Sequence, residues 1–265
     1  MNITRTFQYA GSFYPEKISD IEEFIKISLD KATLKGLPKT KPKIIIVPHA
    51  GYAYSGQVAA YAYKAISQFN YKNILLLGPS HYVLASNQIL TCTFKKFETP
   101  LGSLLTFKPE KLPPLFEDND NAHALEHSLE VQLPFLQYLY KNCKIFPQLI
   151  NEDDEQSLSV ISNFEGDYLN NSADNLLIIS SDLSHYHNYD EAQKRDKKTI
   201  ETILLLDDNE LKSKGEACGL IPITIGIKIA QKLKLKPILL KAANSGDAAS
   251  SFNVPVVGYA AMSFY

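Results

Sequence analysis

Six histidines and three cysteines are the residues of this chain best suited to metal or redox chemistry near neutral pH. The densest stretch is NAHALEHSLEVQLPFL, Asn121–Leu136, where His123, Glu126 and His127 spell H-x-x-E-H. On one continuous helix that pattern is an inverted zinc-peptidase motif, with two histidines on one metal and the glutamate as general base. Three of the other histidines end apolar runs: His49 in KIIIVPHAGY, His81 in NILLLGPSHY and His185 in NLLIISSDLSHY. One histidine alone is more often a hydrogen-bonded or solvated side chain than a ligand. Three at matching positions are a candidate metal or proton-transfer site, because neutral imidazole is the commonest side-chain metal ligand.

Two residues could add an anionic donor. Asp182 lies in SSDLSH, and Cys218 in GEACGLIPITIGIKIA. Pro222 suits the first turn of a helix over Ile223–Leu233. Cys218 then sits just ahead of a helix N-terminus, whose dipole and unpaired N–H groups favour thiolate. Cys92 and Cys143 fall in strand-like stretches and read as core. In PHAGYAYSG, Gly51 and Gly56 bracket a turn into a helix, but the Lys and Ser/Thr of a P-loop are missing. Tyr52 and Tyr54 in the same turn are candidate pocket residues or packing residues, which position alone does not separate.

The elements that must position these groups follow from the same runs. Unbroken β-branched and leucine segments read as strands buried on both faces. Helical stretches separate them: Gln57–Phe69, Glu126–Tyr140, Glu155–Leu169, Tyr189–Leu205 and Ile223–Leu233. The alternation predicts one α/β domain over residues 1–265, a three-layer α/β/α sandwich with a mixed, mostly parallel sheet. Ile238–Ala243 and Val256–Phe264 are expected as further strands, with antiparallel pairing among them. Ligands of such sheets bind beyond the carboxyl ends of the strands, where His49, His81, Asp182 and His185 all fall.

With 45% apolar and 21% charged residues over 265 positions, the composition is that of a globular protein with a large core. A formal charge of -2 provides no basic footprint, so nucleic acid and anionic membrane are poor partners. The odd, widely spaced cysteines exclude a disulfide framework and fit a reducing cytoplasm. The start MNITRTFQYAGSFYP lacks the basic and apolar regions of a signal peptide, and no apolar run is long enough to span a bilayer.

Taken together, AGSFYP (Ala10–Pro15), VPHAGYAYSG (Val47–Gly56), GPSHY (Gly78–Tyr82), EHSLEVQLPFL (Glu126–Leu136), SSDLSHY (Ser180–Tyr186), CGLIPI (Cys218–Ile223) and VVGYAA (Val256–Ala261) resemble the Memo family. Its prokaryotic members are called AmmeMemoRadiSam system protein B. The segments run in family order and cover nearly the whole chain. The family in turn resembles the class III extradiol (LigB-type) dioxygenases, which bind ferrous iron through two histidines and a glutamate. The resemblance implies a metal on His49 and His81, with Cys218 in the place of the glutamate. His185 matches the dioxygenase acid/base histidine, and Asp182 shares its motif. Thiolate is softer and more easily oxidised than carboxylate, so ring cleavage is not carried over. Iron or copper is the expected metal, with zinc a third choice. One departure is Ala243, where family members often carry an aromatic residue.

The resemblance also reassigns the opening motif. EHSLEVQLPFL is a family helix start, so His123 is expected to precede the helix and the phase of H-x-x-E-H is lost. Glu126 and His127 become pocket or ligand-orienting residues, or N-terminal caps of that helix. Two functions stay open. One is a metal-dependent oxidoreductase in which His49, His81 and Cys218 hold the metal, His185 moves a proton, and Asp182 orients it or completes the coordination. The other is a non-enzymatic adaptor that binds a small molecule or peptide on a dioxygenase-like scaffold. The prokaryotic system name implies an Ammecr-type protein and a radical-SAM protein as partners.

Overall fold

In a computed structural model that describes residues 3–84, 88–151 and 154–265, the apolar runs form adjacent strands. The amino-terminal part contributes β1 (Thr4–Arg5), α1 (Ile18–Lys31), β2 (Ile44–Val47), α2 (Gln57–Ile66) and β3 (Asn73–Gly78). A peripheral group follows: β4 (Ile89–Thr91), β5 (Lys96–Thr99), β6 (Gly102–Thr106), β7 (Phe116–Asp118) and the short helices α3 (Asp120–Ala124), α4 (His127–Glu130) and α5 (Leu133–Leu139). Then come β8 (Lys144–Leu149), α6 (Glu155–Asn170), β9 (Asn175–Ser180) and β10 (His185–His187). The carboxyl-terminal part is α7 (Tyr189–Leu204), α8 (Asp208–Lys214), α9 (Leu220–Leu233), β11 (Pro237–Asn244), α10 (Ser245–Ala249) and β12 (Val256–Phe264).

The sheet runs β1-β5-β6-β8-β3-β9-β2-β12-β10, with β11 on β12 and the pair β4, β7 joined through β8. Its centre, β8-β3-β9-β2, is parallel throughout. The antiparallel pairs lie towards the two sides, where β12 meets β2, β10 and β11, β5 meets β6, and β4 meets β8. This is the expected α/β fold with a mixed, mostly parallel sheet.

Strand side chains alternate between two cores because their period is two. Ile45, Val47, Ile74, Leu76 and Ile178 pack on one face with α1, α2 and α5, around Tyr63 and Phe135. Ile44, Ile46, Leu75, Leu77 and Ile179 pack on the other with α6 to α9. Cys92 and Cys143 are buried in the first core, as expected of them.

The expected helix over Glu126–Tyr140 is two helices. α4 stops at Glu130, and α5 begins at Leu133 with Pro134 in its first turn. Proline lacks the N–H that a continuous helix needs there, so it starts a new helix instead. The helix expected from Gln57 is preceded by a π-type turn, Tyr52–Gly56. α6, α7 and β12 run within one residue of their expected bounds.

A candidate metal centre at the carboxyl ends of three strands

β3, β9 and β2 are neighbours in that order, so the loops leaving them meet. His49 lies two residues beyond β2, His81 three beyond β3, and Asp182 two beyond β9. His127 opens α4, which is drawn onto the end of β3 by Gly78. A methyl group at Gly78 would stand 2.9 Å from both Leu129 Cδ2 and Ser128 Oγ. Ser128 Oγ then donates to the Pro79 carbonyl at 3.0 Å.

One ring nitrogen of each of His49, His81 and His127 lies within 4.8 Å of those of the other two, a group able to hold a metal ion. The rings pack together, with centroids of His81 and His127 4.4 Å apart and of His49 and His81 5.3 Å apart. Burial, helped by the neighbouring histidines, pushes His49 and His127 down to about 3, so both are neutral at physiological pH.

Hydrogen bonds fix which atoms face the centre. The Ser180 hydroxyl donates its single proton to the Ser128 carbonyl at 2.6 Å. Towards His49 Nδ1, 3.0 Å away, it can therefore act only as acceptor. His49 must then carry its proton on Nδ1 and a lone pair on Nε2. Gln132 Nε2 donates to the same Ser180 oxygen at 2.9 Å, and Gln132 Oε1 accepts from Tyr63 at 2.9 Å, which closes a buried network. The Glu126 carboxylate accepts from His81 Nδ1 at 2.8 Å, from His81 N at 2.6 Å and from Ser128 N at 2.9 Å. That leaves His81 Nε2 for a ligand, the usual way a carboxylate orients a metal-binding histidine. Burial alone would raise the Glu126 carboxyl, but the His81 ring and the backbone donors outweigh it and hold it at about 2. No hydrogen bond among the described residues commits the His127 ring elsewhere; its Nδ1 makes only an ion-pair contact, 3.4 Å from Glu126 Oε1.

α4 is itself tied to the amino-terminal strand. Arg5 donates to the His123 and Glu126 carbonyls at 3.1 and 2.9 Å and is paired with Glu130. Tyr14 Oη and the N–H groups of Gln8 and Tyr9 also donate to Glu130. A buried charge pair is tolerated only when its lone pairs are filled in this way.

The remaining sequence candidates surround the triad. Cys218 lies outside the 4.8 Å group, but its Sγ is 3.2 Å from His49 Nε2 and accepts from Asp182 N at 3.2 Å. Without a metal the surroundings favour the thiol over the expected thiolate. Burial and the nearby Asp182 carboxylate push the thiol up to about 12, against the N–H groups of Asp182 and Gly219. The helix N-terminus is too weak to offset that desolvation. The Asp182 carboxylate accepts from His49 N at 2.8 Å and Ala50 N at 3.3 Å, and burial raises it to about 6. The His185 ring is oriented by the Leu183 carbonyl, which accepts from Nδ1 at 2.8 Å and leaves Nε2 outside that bond. His49, His81, His127, Asp182, His185 and Cys218 all line one cavity of about 780 Å³, with Tyr54 at its wall.

His123 takes no part. It lies on α3, buried, with Nε2 donating to the Leu90 carbonyl at 3.0 Å, while Glu126 caps the separate helix α4. H-x-x-E-H therefore never shares one helix. Sequence reasoning had His127 as a wall residue and passed over Ser180 and Gln132. Ser180 ends the apolar run LLIIS and Gln132 is the one polar residue of VQLPFL, and that was the available signal.

Fold and site define an α/β protein with an imidazole cluster at the carboxyl edge of a parallel sheet, buried at His49 and exposed at His81. The chain matches the Memo-like protein family over residues 5–263. It is 38% identical to a MEMO1 family protein of Aquifex aeolicus, over 96% of this chain and 97% of that one. Identity is 36% to a MEMO1 family protein of Sulfolobus acidocaldarius and 33% to one of Methanosarcina mazei, with similar coverage. The chain belongs to the Memo family.

Proposed function

We propose that the protein is a metal-dependent oxidoreductase that holds iron or copper on His49, His81 and His127, with Cys218 as an adjacent sulfur donor. The observation that carries this reading is the 4.8 Å triad of ring nitrogens. The donor set fits a borderline divalent metal: neutral imidazoles, one with its proton fixed on the far nitrogen by Ser180, one backed by a carboxylate. Zinc fits the same donors. Bound there, iron or copper would supply Lewis acidity and a one-electron couple. His185 is the proton carrier, since its Nδ1 is occupied by Leu183 and its free Nε2 belongs to a cavity-lining ring. Asp182 holds the His49–Ala50 turn through two backbone N–H groups, and so sets the height of His49.

Three free cysteines accord with a reducing cytoplasm, and no described helix is long and apolar enough to cross a membrane. An Ammecr-type protein and a radical-SAM protein are the proposed partners, to be sought by pull-down. Metal analysis of protein purified without chelator tests the main reading. Wild type is expected to carry near-stoichiometric iron, copper or zinc, and a His49→Ala/His81→Ala variant to lose it. Equally low contents in both would end the proposal. The adaptor reading draws on the open cavity, and is favoured if ligand binding ignores chelators; chelator-sensitive oxygen uptake favours the enzyme.

A further inference from the structure

We infer that Tyr186 is the specificity-determining residue of this cavity, an aromatic wall at its mouth for a ligand with an uncharged, flat, unsaturated body behind a metal-binding head. Only the head group rests on the metal reading proposed above.

Tyr186 has φ +61°, a left-handed conformation that L residues with bulky side chains avoid on steric grounds. It is the extra residue of a bulge: His185 pairs with Val257 and His187 with Val256, so two steps on β10 face one on β12. Such bulges re-aim a side chain and are common beside active sites. The neighbours hold the bulge firmly. Glu216 accepts from His187 Nε2 at 2.7 Å, from Arg195 Nη1 at 2.9 Å and from His185 N at 3.4 Å. Glycine or asparagine would hold this turn at lower steric cost. Packing does not explain the tyrosine, because its side chain is 78% exposed and its ring neighbour is His185, 5.7 Å away. The ring is placed at a cost and gains no burial.

What it faces is the cavity. Tyr186 lines it with Phe13, Tyr54, Tyr259, Val254 and Val257. No lysine or arginine is among the described lining residues, and the carboxylate of Asp182, the one acid there, is engaged by backbone N–H groups. A phosphate or sulfate placed against Tyr186 rather than on the metal would meet no side-chain counter-charge. An uncharged planar body would meet aromatic faces on residues that lose little side-chain entropy.

The test uses the full chain loaded with zinc and two hydroxamates that share one metal-binding head. Benzohydroxamate carries a ring and acetohydroxamate does not. By titration calorimetry, Tyr186→Gly is expected to lose about 3- to 10-fold in affinity for benzohydroxamate and none for acetohydroxamate. It should melt no lower than wild type, since glycine adopts this φ freely. Tyr186→Phe should keep the preference for the ring. An unchanged ratio of the two affinities in Tyr186→Gly overturns the inference, as does a glycine variant that melts below wild type. A second arm needs no metal: saturation-transfer NMR of benzyl alcohol on the metal-free proteins should give a weaker signal with Tyr186→Gly than with wild type. If neither hydroxamate binds, the metal reading fails and this arm decides Tyr186, with equal signals refuting it.

Discussion

Replacing Glu126 by glutamine tests whether one carboxylate both builds the site and aims His81 into it. Three N–H groups converge on this side chain, two from His81 and one from Ser128. Glutamine keeps one acceptor oxygen and turns an NH₂ group against a donor, which leaves a buried N–H unpaired at a cost of about 1–3 kcal/mol. Linkage gives a similar figure by another route. A carboxyl at about 2 in the fold, against 4.5 unfolded, contributes about 3 kcal/mol at neutral pH. Because the folded value is depressed, that contribution is complete above 4.5 and is lost as pH falls through 2. For a chain of this size the loss lowers the melting temperature by roughly 6 °C or more at pH 7. The second effect falls on the metal, since a ligand histidine deprived of its carboxylate loses about 10- to 100-fold in affinity. Thermal melts and zinc titration of Glu126→Gln measure the two effects separately. A variant that melts with wild type and binds zinc equally well would show that Glu126 neither caps α4 nor orients His81.

Two further variants probe the layers beneath. Ser180→Ala removes the acceptor that holds the proton on His49 Nδ1 and one of the two acceptors of Gln132 Nε2, which keeps the Pro48 carbonyl; zinc affinity should fall about 10-fold or more, and an unchanged affinity would refute the tautomer argument. In the second core, burial raises the Glu165 carboxyl to about 8, next to Gln148. A raised folded value makes stability fall as pH rises from 4.5 to 8, at about 1.4 kcal/mol per pH unit. Urea unfolding of Glu165→Gln should lack that slope, and parallel pH profiles for the two proteins would sink the assignment.

The sheet could be read from the sequence because its central strands are buried on both faces, which writes them as unbroken runs such as IIIV and NILLLG. Histidines just past those runs marked the edge where the loops meet. What could not be read depends on contacts far apart in the chain. His127 joins the triad because Gly78 admits α4 and because Arg5, 125 residues earlier than Glu130, anchors it. No local pattern encodes either contact. The thiol of Cys218 was misjudged for a related reason: a helix start is visible in sequence, whereas the dry surroundings that overrule it are not. The break between α4 and α5 was legible in Pro134 and was overlooked in favour of the apolar periodicity around it.

β12 also has a consequence for biogenesis. It is translated after β2, β10 and β11, yet it is the plank that joins all three. A ribosome-bound nascent chain therefore carries β2 with an open flank until residues near Phe264 emerge, and an exposed flank of that kind invites pairing with other chains. The sheet therefore closes only when this late strand slots in, and the histidine pocket matures with it.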